Sequence, residues 1–283
     1  MRASSVFPAR RSDRAPSSPG NLEVVAYVNS VVPDTPLTSN PHSLIRERLG
    51  DRGAVTVLSA TAGYVDAVGF LMLVGLFPAH VTGELVGLTT VFTAGHLMSH
   101  PGRLAVIPVF VGALFVAAIV TRSRRNDGKS PHRALLGLMT LALGLCAATG
   151  FGQPLHAPVG PLWVLGLREC SMVAAMAFQN AYARDALANA CPTTVMTGNL
   201  TQFVFELVDI TAARLGWDRV ETTRARSATR SRFWLVSGAL GSFLTGAVLG
   251  GYLTRIVGAF ALVVPMLAAL FLARRESDVR SAG

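Results

Sequence analysis

The sequence predicts an all-α polytopic membrane protein, with six spanning helices plus two re-entrant or broken segments arranged as two inverted repeats. Three observations predict it. Of 283 residues, 51% are hydrophobic and only 14% charged, where a soluble globular protein carries about a quarter charged. The charges are also confined: the 31 residues between Arg52 and Glu84 contain a single one, Asp66. Third, the two halves of the chain repeat one polar motif pattern inside otherwise apolar segments.

Residues 1–40 form a basic tail rich in Ser, Pro and Arg, carrying Arg2, Arg10, Arg11 and Arg14. It lacks the apolar stretch of a secretory signal and reads as a disordered, uncleaved extension. The remainder, 41–283, reads as one integral membrane domain, with repeat 1 over about 53–152 and repeat 2 over about 160–273.

Eight apolar segments are present, at about 54–76, 79–98, 104–121, 133–152, 161–183, 193–213, 233–251 and 253–273. Most are long enough to cross about 30 Å of hydrocarbon. The second and sixth differ: one carries Glu84 and His96, the other Asn199, Gln202, Glu206 and Asp209. A carboxylate facing lipid costs several kcal/mol, so both segments must face protein or water.

Basic residues decide the topology. They gather before the first segment (Arg46, Arg48, Arg52), at 122–133, in a six-arginine stretch at 214–232, and after the last segment (Arg274, Arg275, Arg280), while 153–160 is uncharged. If both polar segments are re-entrant, 21 of the 25 Lys and Arg fall on one side of the membrane. Eight crossings would put the cluster at 122–133 outside, so six spans are expected, with eight as the alternative. Both termini are then cytoplasmic, in a cell (inner) membrane. The formal charge of +9 is thus topological, and no nucleic-acid partner is expected.

The repeat is read directly. AGYVDAVGFL followed by FPAHVTGELVGL in the first half corresponds to MAFQNAYARDAL followed by CPTTVMTGNLTQF in the second. Each unit is an apolar helix ending in a polar residue, then a helix-breaking Pro, then T-G-E-L or T-G-N-L. With six spans the units run in opposite directions. Inverted units with interrupted helices recur in transporters, where broken backbone faces a mid-membrane cavity. The site candidates are therefore Asp66, His80, Thr82, Gly83 and Glu84 in repeat 1, and Gln179, Asn180, Thr197, Gly198 and Asn199 in repeat 2.

These motifs, GYVDAVGFL with G-x-F-x-A-H-x-T-G and F-Q-N-A with P-T-T-V-M-T-G-N-L-T, resemble the YoaK family of bacterial multi-pass membrane proteins over about 53–273. The resemblance implies a domain of unknown function for which a permease role has been suggested. The family's first repeat usually reads T-G-N; here the third residue is Glu84.

Each residue has a structural reading beside the functional one. Asp66 is a cation ligand or proton carrier, or a hydrogen-bond acceptor bracing the break. Glu84, with Thr82 as N-cap, stabilises the positive end of a half-helix, or lines one cavity with Asp66 and shares a cation or proton. Asn180 and Asn199 would then be neutral counterparts. Glu206 and Asp209 are helix neighbours that Arg214 would help neutralise. Arg168 and Glu169 interrupt the fifth segment and point in different directions, one snorkelling outward and one meeting a partner helix. His80 sits where a proton could be exchanged. His96 and His100 are four apart without a third ligand, so no metal site is expected. Gly238, Gly241, Gly246 and Gly250 are spaced for close helix packing, and Pro108, Pro154 and Pro265 fall in or beside spans.

No protease, hydrolase, nucleotide-binding or haem signature is present, so no catalytic residues and no cofactor are expected. The leading expectation is a small-solute permease or transporter with its site between the T-G motifs. A non-transporting sensor or assembly protein is the alternative, and an intramembrane enzyme the third. The partners expected are the lipid bilayer and a small solute or proton, with a homo-oligomer compatible.

Overall fold

The structure, a computed structural model, describes residues 41–73, 75–93, 101–150, 161–188, 190–216 and 223–281. Contacts divide the chain after Arg46, and the helical bundle belongs to the unit Glu47–Gly283.

Among the described residues all regular structure is helical: α1 (Pro41–Met72), α2 (Val81–Thr93), α3 (Pro101–Asn126), α4 (His132–Gly150), α5 (Leu162–Ala186), α6 (Met196–Leu215), α7 (Thr223–Val257) and α8 (Val263–Ser281). A short 3-10 turn, Gly258–Leu262, joins α7 to α8, and Gly258 opens it at φ +56°, a conformation that costs glycine little. Pro108 lies inside α3. Pro265 falls in the first turn of α8, where its missing N–H breaks no helical bond. His96, His100 and Pro154 lie outside the described residues.

Four stretches are long and apolar enough to cross a membrane: Asp51–Met72, Arg103–Asn126, His132–Gly150, and Ser227–Glu276, which holds α7 and α8 together. Large apolar side chains such as Phe115, Leu141, Trp163, Leu244 and Phe271 face outward, as in a bundle whose solvent is lipid. The protein is a helical integral membrane protein.

Packing exchanges the halves. α3 packs on α5 and α4 on both α5 and α8, while α7 lies against α1 so closely that a Cβ on Gly246 would sit 2.0 Å from the Ala60 carbonyl oxygen. A Cβ on Gly63 would meet the Phe243 carbonyl oxygen at 2.1 Å, and Gly250 faces Tyr64. Of the five α7 glycines, Gly246 and Gly250 make this close contact and Gly251 faces Leu71 of α1 at 3.9 Å; Gly238 and Gly241 border open space. α1 also reaches α8 and its turn, through Gly53 beside Arg275 and the Tyr64 hydroxyl, which donates to the Ala261 carbonyl at 2.7 Å. Each half's first helix thus meets the third and fourth helices of the other half.

Polar contacts mark the two ends of this bundle. At one, His132 bridges Glu276 (2.9 Å) and Asp185 (3.2 Å), Tyr182 donates to Glu276 at 2.9 Å, Arg125 pairs with Asp185, and Arg52 donates to Ser231 at 2.7 Å. The start of α4, the ends of α3, α5 and α8, and the first turns of α7 and of the apolar part of α1 therefore share one end. At the other, Gly150 closes against Ala259, Met72 and Arg168. α1 and α5 consequently run antiparallel.

Candidate functional site

α1 ends at Met72 and α2 begins at Val81, so the connector between them strips a run of backbone groups of helical partners. In an apolar bundle such groups must be satisfied locally. Two buried carboxylates do this. Asp66, on the last turns of α1, accepts the Ala79 N–H through Oδ1 at 2.7 Å, and His80 Nδ1 donates to its Oδ2 at 2.5 Å. Glu84, in the first turn of α2, accepts the Phe77 N–H through Oε1 at 2.8 Å.

The second break uses the same positions, with the polarity reversed at one of them. Asn180 Oδ1 accepts from the Thr194 hydroxyl at 2.8 Å, as Asp66 accepts from Ala79. Asn199 Nδ2 donates to the Pro192 carbonyl at 2.6 Å, where Glu84 accepts from Phe77; both pairs span seven residues. The reversal has a covalent cause. Proline has no N–H to offer, so the residue opposite Pro192 must donate rather than accept. Gln179, fully buried on α5, donates to the Leu58 carbonyl at 3.0 Å and ties the first helices of the two repeats together.

The breaks also agree in what they expose. Thr82 and Gly83, and likewise Thr197 and Gly198, are exposed or half-buried, while Glu84 and Asn199 are buried. A Cβ on Gly83 would meet nothing within 4 Å, and one on Gly198 only Val195 of its own segment. α2 packs on α3 and α6 on α7. Helix α2 starts at Val81 and takes its first bonds on the His80 carbonyl, so His80, not Thr82, occupies the capping position.

Asp66 and Glu84 bond different backbone groups of the connector. They brace the connector from its two flanks, and each has its own cationic neighbour: His80 for Asp66, and Arg103 for Glu84, with Nε 4.0 Å from Oε2. His80 lies in the connector, about one-third exposed at its side chain. Its hydrogen bond to Asp66 raises its pKa above the ordinary value, with partial burial opposing and the Asp66 charge adding to the rise.

Several other expectations change. Glu206 is neutralised by Arg232, with Nε 3.7 Å away, and accepts from Gln202 at 3.0 Å, because antiparallel packing of α6 on α7 brings Arg232 alongside. Arg214 instead borders, with Asp209, Arg230, Phe233 and Trp234, a cavity of about 250 Å³ between α6 and α7, which none of the T-G residues lines. Arg168 does not snorkel: it is buried, and its Nε donates to the Thr149 carbonyl at 3.0 Å, satisfying a helix-end acceptor that α4 leaves open.

Two features escaped the motif reading, Arg103 beside the first break and the His132–Asp185–Glu276 cluster, while for the Arg168–Glu169 pair it did not say which residue turns inward. Arg103 lies at the start of the third apolar segment and belongs to neither repeated motif. The cluster joins residues far apart in sequence, so no spacing announces it. Glu169 did carry a signal, an acid inside an apolar segment. Among the described residues no group of three His, Cys, Asp or Glu is arranged to hold a metal ion.

The pattern that defines the family described as "Protein of unknown function (DUF1275)" matches residues 54–274. The chain belongs to this family. The match covers both breaks and every span from α1 to α8, and it omits the basic tail, in keeping with the YoaK resemblance of the motifs. No curated protein and no solved structure matches the chain. For this DUF1275 protein, the breaks themselves carry the clues to function.

Proposed function

We propose that this protein is a proton-coupled permease for a small solute, built from six spans and two half-membrane segments, with its path between the two T-G motifs. The observation that carries the reading is the pair of antiparallel, interrupted helices braced at matching positions, of which only the first break carries carboxylates and a histidine. Asp66, His80 and Glu84 stand where the second break has Asn180, Val195 and Asn199. Broken inverted helices present unwound backbone to a solute. The ionisable surroundings of the first break then carry the proton while the neutral amides of the second supply polar contacts.

Two sets of observations support six spans. Helix ends alternate between the two ends of the bundle through α1, α3, α4, α5, α7 and α8, so α2 and α6 each return to the side they came from. α2, as described, has 13 residues, about 20 Å at 1.5 Å per residue, too short to cross the hydrocarbon. α6 runs back along the first half of α7, Phe203 stacking on Phe233 at 5.2 Å and Glu206 facing Arg232. The end that gathers Arg52, Arg125, Arg232 and Arg275 is then cytoplasmic, in the inner membrane. Thiol labelling tests this: a cysteine at Asn126 reacts only from the cytoplasm and one at His156 only from outside, whereas the reverse pattern restores eight spans.

The transport reading is tested in liposomes holding a pH-sensitive dye. Pools of amino acids, sugars, organic acids and nucleobases are added outside, and at least one pool is expected to acidify the lumen in a protein-dependent way. Correctly inserted protein that moves no protons with any pool contradicts it. A second reading, a non-transporting membrane protein, is favoured by one observation: both first-break carboxylates already bind backbone of their own repeat.

A further inference from the structure

Glu169 lies eight residues into α5, about 12 Å along the helix, and is fully buried. Neither of its carboxylate oxygens has a hydrogen-bond partner. Its charged and titratable surroundings are Arg103 of α3, Glu84 of α2 and its own neighbour Cys170; Arg168 turns away to Thr149. Glu84 has the prior claim on this neighbourhood. One of its oxygens is bonded to Phe77 and the other faces Arg103.

The charges in this pocket do not balance. Two carboxylates face one guanidinium, and the carboxylate with no hydrogen bond is the more deeply buried. An ionised carboxylate without donors in an apolar interior is strongly disfavoured, and such a group takes up a proton instead. The matching place in repeat 1, eleven residues before Asp66 as Glu169 is eleven before Asn180, is Val55, so this position carries an acid in one repeat and an apolar residue in the other.

We propose that Glu169 is the proton-binding site of this protein, holding one exchangeable proton as a neutral carboxylic acid against the Glu84–Arg103 pair. The step is a simple one: the proton adds to a Glu169 oxygen, forming its O–H bond, and leaves by the same bond, with no other covalent change. This deepens the permease reading by naming where the proton rests. It rests on that reading only for what the proton does.

The test is infrared spectroscopy of the full chain in liposomes, reading the C=O stretch of protonated carboxyl groups. At neutral pH the protein is expected to show this band, shifted in deuterated water. Glu169→Gln removes it, Glu169→Asp moves it without removing it, and Asp66→Asn leaves it in place. Arg103→Gln, which leaves two carboxylates without their cation, is expected to increase its area about twofold. Absence of the band in the unaltered protein, or its survival in Glu169→Gln, overturns the assignment. The two proposals separate cleanly: the band without solute-driven proton movement refutes the permease and keeps the site, and proton movement without the band refutes the site and keeps the permease.

Discussion

The two breaks solve one physical problem with opposite chemistry. Both interrupt a helix in apolar surroundings, both leave a Thr-Gly pair accessible, and both bury the residue after it. At the first, that residue is an acid accepting the Phe77 N–H; at the second it is an amide donating to the Pro192 carbonyl. Brace geometry is therefore a property of the repeat, whereas the acidic side chains belong to one break. A residue needed only as a brace should tolerate any partner of the right donor or acceptor character. A residue needed for its charge should not.

The largest expected effect lies in the helix seam that holds the halves together. Gly246→Leu drives a side chain into the Ala60 carbonyl, 2.0 Å from where its Cβ would sit, and is expected to cost about 3 kcal/mol or more. Gly241→Leu, into open space, is expected to be nearly neutral. Yield of monodisperse protein and its melting temperature compare the two.

The next effect separates the braces. Asn199→Asp sets a carboxylate against the Pro192 carbonyl, two acceptors with no hydrogen between them, and should destabilise by about 1–3 kcal/mol. Glu84→Gln keeps an oxygen for the Phe77 N–H and should cost much less. Equal costs would show that the donor–acceptor reversal at Pro192 does not matter.

A smaller, graded difference is expected at Asp66. Asp66→Ala orphans the Ala79 N–H and should cost about 1–3 kcal/mol, whereas Asp66→Asn keeps an acceptor and gives the first break the side chain of the second. Melting temperature should fall clearly for alanine and little for asparagine.

The smallest effect is the pH dependence of the Asp66–His80 pair. Because the folded state raises the His80 pKa, its contribution is fully present below the ordinary value of 6.5 and is lost as pH rises through the raised value. Melting temperature should therefore decline across that window, and His80→Gln should flatten the decline. The second break, with Val195 at this place, supplies no such dependence.

The helical membrane class was legible because hydropathy is a direct readout of the bilayer. The repeat and the polar positions Asp66, Glu84, Asn180 and Asn199 were legible too, since a polar residue in an apolar segment stands out. What each one bonds was not. That Asp66 and Glu84 hold separate amides depends on how the connector folds back, and no spacing encodes that. The Thr82 cap failed because the helix starts one residue before it, on the His80 carbonyl. Gly238, Gly241, Gly246 and Gly250 were read as one packing stripe, yet of these four only Gly246 and Gly250 face α1, since that choice depends on helix rotation. Arg103 and Glu169 come together through tertiary packing of α2, α3 and α5, which local sequence does not reveal.

The most direct test of a charge-bearing first break is solute-driven proton uptake into liposomes, compared across the two breaks in variants that keep the braces. Asp66→Asn and Glu84→Gln are expected to abolish proton movement while the protein stays folded and inserted, and Asn180→Ala is expected to weaken solute dependence while proton movement persists at saturating solute. Full proton uptake in both Asp66→Asn and Glu84→Gln would contradict the account.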